Sequence, residues 1–120
     1  MSMKFLVVDD SRVDIHLMVS MLENLGHQVD VCQDTTNLLQ TVEQENYAAV
    51  ILDIVMPQRD GFKCLRELRL NASTKEQYVI LCSTKKTPLE ISYGIKRAGA
   101  NDYITKPVSQ EALEQALQKV

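Results

Sequence analysis

The chain has 120 residues, 45% hydrophobic and 24% charged, with a net charge of −3. That length is about one domain, the composition is ordinary for a soluble globular protein, and an acidic balance argues against a nucleic-acid face. Three cysteines (Cys32, Cys64, Cys82) without C-x-x-C spacing fit a reducing compartment and neither a disulfide framework nor a zinc site.

The chain begins MSMKFLVVDD, whose apolar run, 4–8, is short and closes on two acids. That is not the pattern of a signal peptide, and no stretch approaches the roughly 18 apolar residues of a membrane span. The expectation is a cytoplasmic domain with no membrane contact. Residues 12–25 follow with Ile15, Met18, Met21, Leu22 and Leu25 at helical spacing. Ser11 and Asp14 form a capping-box variant, and Gly26 suits a left-handed stop. His16 lies off the apolar stripe and His27 follows the stop, so both read as surface residues.

A second apolar run is QVDVC, 28–32. Asp34 through Asn46 carries Leu38, Leu39 and Val42 and reads as a second helix. Then AAVIL, 48–52, runs straight into Asp53, with Met56-Pro57 and Asp60-Gly61 behind it. Asp60-Gly61 is turn and helix-cap chemistry. Residues 61–70 place Phe62, Leu65 and Leu68 on one face of a third helix. YVILC, 78–82, is the fourth run. Pro88 opens a helix that Gly99 closes. DYIT, 102–105, is the fifth run, and Ser109 caps a last helix with Leu113, Ala116 and Leu117 inward.

Strand and helix alternate five times. This argues for a single α/β domain, a doubly wound parallel sheet with helices on both faces. Central parallel strands are buried on both sides, which explains their near-continuous apolar runs. In such folds polar chemistry collects beyond the carboxyl ends of the strands. Asp53 should emerge there, following its strand. Asp9-Asp10, Ser83-Thr84 and Lys106-Pro107 stand at three other strand ends. Three close carboxylates repel and raise one another's pKa. Mg²⁺, which prefers hard oxygen ligands, relieves that. A carboxylate left partly free can attack a phosphoryl group, with Lys106 neutralising the charge in transit.

The segments FLVVDD (5–10), VILDIVMPQRDG (50–61), ILCST (80–84) and AGANDYITKP (98–107) together resemble the receiver domain of bacterial two-component response regulators. The likeness covers nearly the whole chain, 1–120. It implies a flavodoxin-like sheet of order 2-1-3-4-5 and a phosphorylation-controlled switch fed by a sensor histidine kinase or a phosphotransfer protein. Carried over by position, Asp53 is the phosphoacceptor and Asp10 a direct ligand of Mg²⁺ (or Mn²⁺). Asp9 acts through water, and the Val55 carbonyl is a main-chain ligand. Lys106 pairs with the phosphoryl group and precedes a cis proline. Tyr103 is the aromatic switch. The switch hydroxyl is Ser83 by alignment of the strand and Thr84 by counting back from Lys106. The strand is preferred, the extra residue being expected within 85–93.

Output is expected through the face of the fourth helix, fifth strand and fifth helix, with Tyr93, Lys96 and Arg97 on it. The target is a protein, not nucleic acid. Two other classes fit less well. A constitutive interaction module would carry the acids as vestiges. An aspartyl-nucleophile phosphatase tends to need a second acid two residues past the nucleophile, where this chain has Val55.

Overall fold

The computed structural model describes residues 2–33, 35–57 and 60–120. Five strands alternate with helices: β1 Lys4–Val8, α1 Arg12–Asn24, β2 Gln28–Cys32, α2 Leu38–Gln44, β3 Ala49–Asp53, α3 Gly61–Leu70, β4 Val79–Ser83, α4 Pro88–Ser92, β5 Asp102–Thr105 and α5 Gln110–Leu117. The strands form one parallel sheet in the order β2-β1-β3-β4-β5. The doubly wound, flavodoxin-like architecture is the one expected.

Strand alternation builds two cores. Leu6, Val8, Val50, Leu52, Val79 and Leu81 face Leu38 and Val42 of α2 and Cys64, Leu65 and Leu68 of α3. Phe5, Val7, Ala49, Ile51, Ile80 and Cys82 face Ile15, Met18 and Leu22 of α1 and Leu113, Ala116 and Leu117 of α5. All five residues of β3 and of β4 are buried, as two-sided packing requires. Leu65 has no exposed surface. Truncating such a side chain to Ala leaves a cavity and costs about 2–5 kcal/mol.

The local signals work as their chemistry dictates. Ser11, Asp60, Thr87 and Ser109 each accept a hydrogen bond from a backbone N–H of the first helical turn. Gly26 and Gly99 have positive φ, 88° and 93°, a region costly for residues with a Cβ.

Several boundaries differ from the sequence reading. β3 and β4 each run one residue later, so Asp53 and Ser83 are the last residues of their strands. Asp53 therefore does not stand clear of the core; it is 6% exposed. α2 is shorter than 34–46, and Asn37 at its start makes no side-chain cap. Asp34, where that helix was expected to open, lies outside the described residues, as do Gln58 and Arg59 of the D-x-x-M-P-x-x-D-G stretch.

The fourth helix changes form. After Ser92 it continues as a π-helical turn, Tyr93–Arg97. A π turn holds one more residue than an α turn. Gly94 lets the wide turn sit against the sheet. A Cβ there would lie 2.9 Å from the Leu81 side chain and 3.1 Å from the Tyr103 ring.

Candidate functional site at the carboxyl edge of the sheet

The ends of β1, β3, β4 and β5 converge. Asp9 and Asp10 follow β1, Asp53 ends β3, Ser83 ends β4, and Lys106 follows β5. Carboxylate oxygens of Asp9, Asp10 and Asp53 all lie within 4.8 Å of one another. Asp9 and Asp53 are buried and Asp10 is exposed. Hard oxygen donors at that spacing, one of them open to water, suit a small divalent cation that keeps several waters.

Lys106 reaches into the cluster. Its ammonium lies 2.9 Å from Asp9, 2.8 Å from Asp14 and 3.5 Å from Asp53. Its backbone N–H donates to the Ser83 carbonyl at 2.9 Å, which ties β5 to β4 at the site. The Lys106–Pro107 peptide is cis, the isomer the resemblance implies.

Asp9 is held from two sides. One oxygen accepts from the Ser11 N–H at 3.0 Å, the other from Lys106. The expected capping box is therefore half made. Ser11 accepts from the Asp14 N–H at 3.3 Å, but its own N–H goes to Asp9. The Asp14 carboxylate is free to meet Lys106. The sequence reading missed this contact. Asp14 sits one helical turn past the Asp9-Asp10 pair, and that spacing was the available signal.

The electrostatics follow from burial. Desolvation, with the Asp9 charge next, pushes the Asp53 carboxyl up to about 6, against the pull of Lys106. Burial also opposes the charge on Lys106. Hydrogen bonds to Asp14 and Asp9 and the Asp53 charge outweigh it and raise this pKa. Cys82, buried beside the site, is pushed up to about 12, first by desolvation. Its thiol is no nucleophile at neutral pH. A cavity of about 80 Å³ opens between the carboxylates and α1, with Asp14, Leu17 and Met18 on its wall.

Ser83 is fully buried and Thr84 is exposed. The Ser83 Oγ accepts from the Lys85 N–H at 3.2 Å. The Lys85 carbonyl accepts from the Tyr103 O–H at 2.5 Å. Tyr103 is half-buried, its ring against the α2–α3 core, so it stands turned inward already. The Lys85 ammonium is 3.4 Å from Glu90, which also closes a capping box with Thr87. Val55 has an exposed side chain.

Tyr93, Lys96 and Arg97 line a groove with Arg66 of α3, and the Tyr93 ring stacks edge-on against Phe62 of α3, centroids 4.9 Å apart. His27 is also less plain than expected. It is half-buried, accepts from the Met3 N–H at 3.0 Å and stacks on Phe5.

Comparison with known proteins agrees with this geometry. The family signature described as the response regulator receiver domain matches residues 5–118. Protein PilH of Pseudomonas aeruginosa is 38% identical over 117 residues, 98% of this chain and 96% of that protein. Response regulator MprA of Mycolicibacterium vanbaalenii is 34% identical over 94% of this chain, which spans only 48% of MprA. Among solved structures, chemotaxis protein CheY4 of Vibrio cholerae superposes with a TM-score of 0.89 at 26% identity, covering 100% of this chain and 99% of that one. The receiver domain of sensor histidine kinase PA1611 from Pseudomonas aeruginosa has a magnesium ion coordinated in its active site cleft. It matches with a TM-score of 0.86 at 27% identity, over 99% of this chain and 97% of that one.

Proposed function

The chain belongs to the response regulator receiver family, and from that premise we propose that residues 1–120 form one phosphoacceptor domain whose acceptor is Asp53. The observation that carries this is the meeting of Asp9, Asp10 and Asp53 within 4.8 Å of one another, with the Lys106 ammonium 3.5 Å from Asp53. The donor is the phosphohistidine of a sensor kinase or of a phosphotransfer protein, and the domain works in the cytoplasm.

Asp53 is the nucleophile. Its carboxylate oxygen forms a bond to phosphorus as the bond from phosphorus to the donor nitrogen breaks, and the imidazole leaves with that electron pair. Lys106 is the cation that meets the phosphoryl oxygens. Asp10, Asp53 and the Val55 carbonyl would hold Mg²⁺ (or Mn²⁺), with Asp9 acting through water. When bound, the ion neutralises the clustered carboxylates and the charge on the transferring group. A turnover phosphatase is less well supported, since the exposed Val55 side chain has no proton to give.

The signal leaves through hydrogen bonds. Ser83, rather than the exposed Thr84, turns its hydroxyl toward the phosphoryl group and loosens its hold on the Lys85 N–H. Lys85 anchors Tyr103 through its carbonyl, and the Tyr103 ring touches the π turn at Gly94. The surface of the fourth helix and β5 is thereby re-set for a protein target. A phosphate adds close to two charges and three acceptor oxygens, enough to bias such an element.

The test is acetyl phosphate with Mg²⁺, followed by intact-mass measurement. The wild type gains one phosphoryl group and Asp53→Asn gains none. Equal modification of both would overturn the assignment.

A further inference from the structure

We propose that Asp14 is a positioning residue that latches Lys106 away from Asp53, so that phosphoryl capture must draw Lys106 against the pull of the Asp14–Lys106 pair. This rests on the reading of Asp53 as acceptor and Lys106 as its cation. An ammonium has three N–H donors. Those of Lys106 make hydrogen bonds of 2.8 Å to Asp14 and 2.9 Å to Asp9. The Asp53 oxygen, at 3.5 Å, lies outside good hydrogen-bond range. In its resting position the cation leans toward α1 and away from the acceptor.

The two short arms are not equivalent. Asp9 is 8% exposed and its second oxygen is fixed by the Ser11 N–H. Asp14 is 37% exposed at the rim. Exposed ion pairs are weak and exchange readily with water, so Asp14 is the arm that lets go. An acid in the first turn of a helix is favoured by the helix dipole wherever its side chain points. That accounts for an acid at this position and not for its aim at Lys106. The aim follows from the half-made capping box, because Ser11 gives its N–H to Asp9.

Phosphoryl transfer forms the bond from Asp53 to phosphorus and breaks the bond to the leaving group. It then presents oxygens that compete with Asp14 for the same ammonium. Asp14 thus sets the threshold for capture without touching the phosphoryl group.

The experiment measures beryllofluoride affinity by calorimetry on the full chain with saturating Mg²⁺. Asp14→Asn keeps the shape and removes the charge, and its backbone N–H still bonds Ser11. It should bind about threefold to tenfold more tightly than wild type, the range expected for releasing one charge-assisted bond at a partly exposed site. Asp14→Glu restores the charge and should return the affinity toward the wild-type value. In a Lys106→Met background, Asp14→Asn should bring no gain, because the cation it restrains is gone. Unchanged or weaker binding by Asp14→Asn, failure of Asp14→Glu to restore, or a gain that persists in Lys106→Met would each overturn the latch. The Asp53 reading fails differently: the wild type itself would then take up no beryllofluoride, and the latch would fall with it.

Discussion

Strand β1 lies between two lysine–carboxylate clusters that share their chemistry and differ in everything else. At its start, Lys4 lies 3.4 Å from Asp30 and 3.2 Å from Glu45, with the Tyr47 ring 5.8 Å from the ammonium. Beyond its end, Lys106 meets Asp9, Asp14 and Asp53. The side chains of Lys4, Asp30 and Glu45 are 31%, 45% and 48% exposed. Those of Lys106, Asp9 and Asp53 are 13%, 8% and 7% exposed. Water screens the first cluster and is kept from most of the second. A buried carboxylate pushed up to about 6 can be relieved by a cation or altered by a phosphoryl group; a solvated one has little to gain from either. Burial of the charges, not their number, separates a site from a surface decoration.

The widest separation between the clusters should appear in kinetics. Lys106→Met should slow phosphoryl uptake from acetyl phosphate by roughly 10²–10³, the usual effect of removing one preorganised group that meets transition-state charge. Lys4→Met should leave the rate unchanged. Rates followed by phosphate-affinity gels check this, and equal slowing in the two variants would erase the distinction.

Backbone packing gives the next contrast. A Cβ on Gly61 would sit against the Asp53 carbonyl and 2.8 Å from the Ile54 Cα, backbone that cannot yield without moving the acceptor. Gly61→Ala should therefore cost about 2–4 kcal/mol. Gly26, in the turn that leads into β2, has open space around it and only its positive φ to defend. Gly26→Ala should cost about 1 kcal/mol. Urea denaturation of the two variants tests the ordering.

A smaller effect follows from pH. The folded-state pKa of Asp53, about 6, lies above the ordinary carboxylate value. The contribution of this group to stability is thus full below the unfolded pKa and is lost as pH rises through about 6. In a chelator, Asp53→Asn should match the wild type near pH 4 and exceed it by about 1–2 kcal/mol near pH 7. Denaturation midpoints of the wild type and the variant at the two pH values test this.

Much of this was legible in the sequence, for physical reasons that can be named. Strands buried on both faces must be apolar throughout, so the five runs stood out and their carboxyl ends marked Asp9, Asp10, Asp53, Ser83 and Lys106. Caps advertise themselves, which is why the third helix begins at Gly61 and the fifth follows Ser109, as read. The π turn did not advertise itself. Nothing in YGIKR distinguishes a wide turn from an α turn until Gly94 is seen packed under Leu81 and Tyr103. The Asp14–Lys106 contact spans 92 residues and depends on where Ser11 spends its N–H, a choice made only in the folded chain.

The account stands most directly on which carboxylate takes the phosphoryl group. Borohydride reduces an acyl phosphate on Asp to homoserine, and peptide sequencing by mass spectrometry then reads the position. After treatment with acetyl phosphate and Mg²⁺, the account predicts homoserine at position 53 alone. Homoserine at position 9, 10 or 14, or a chain that remains unreduced throughout, would contradict it.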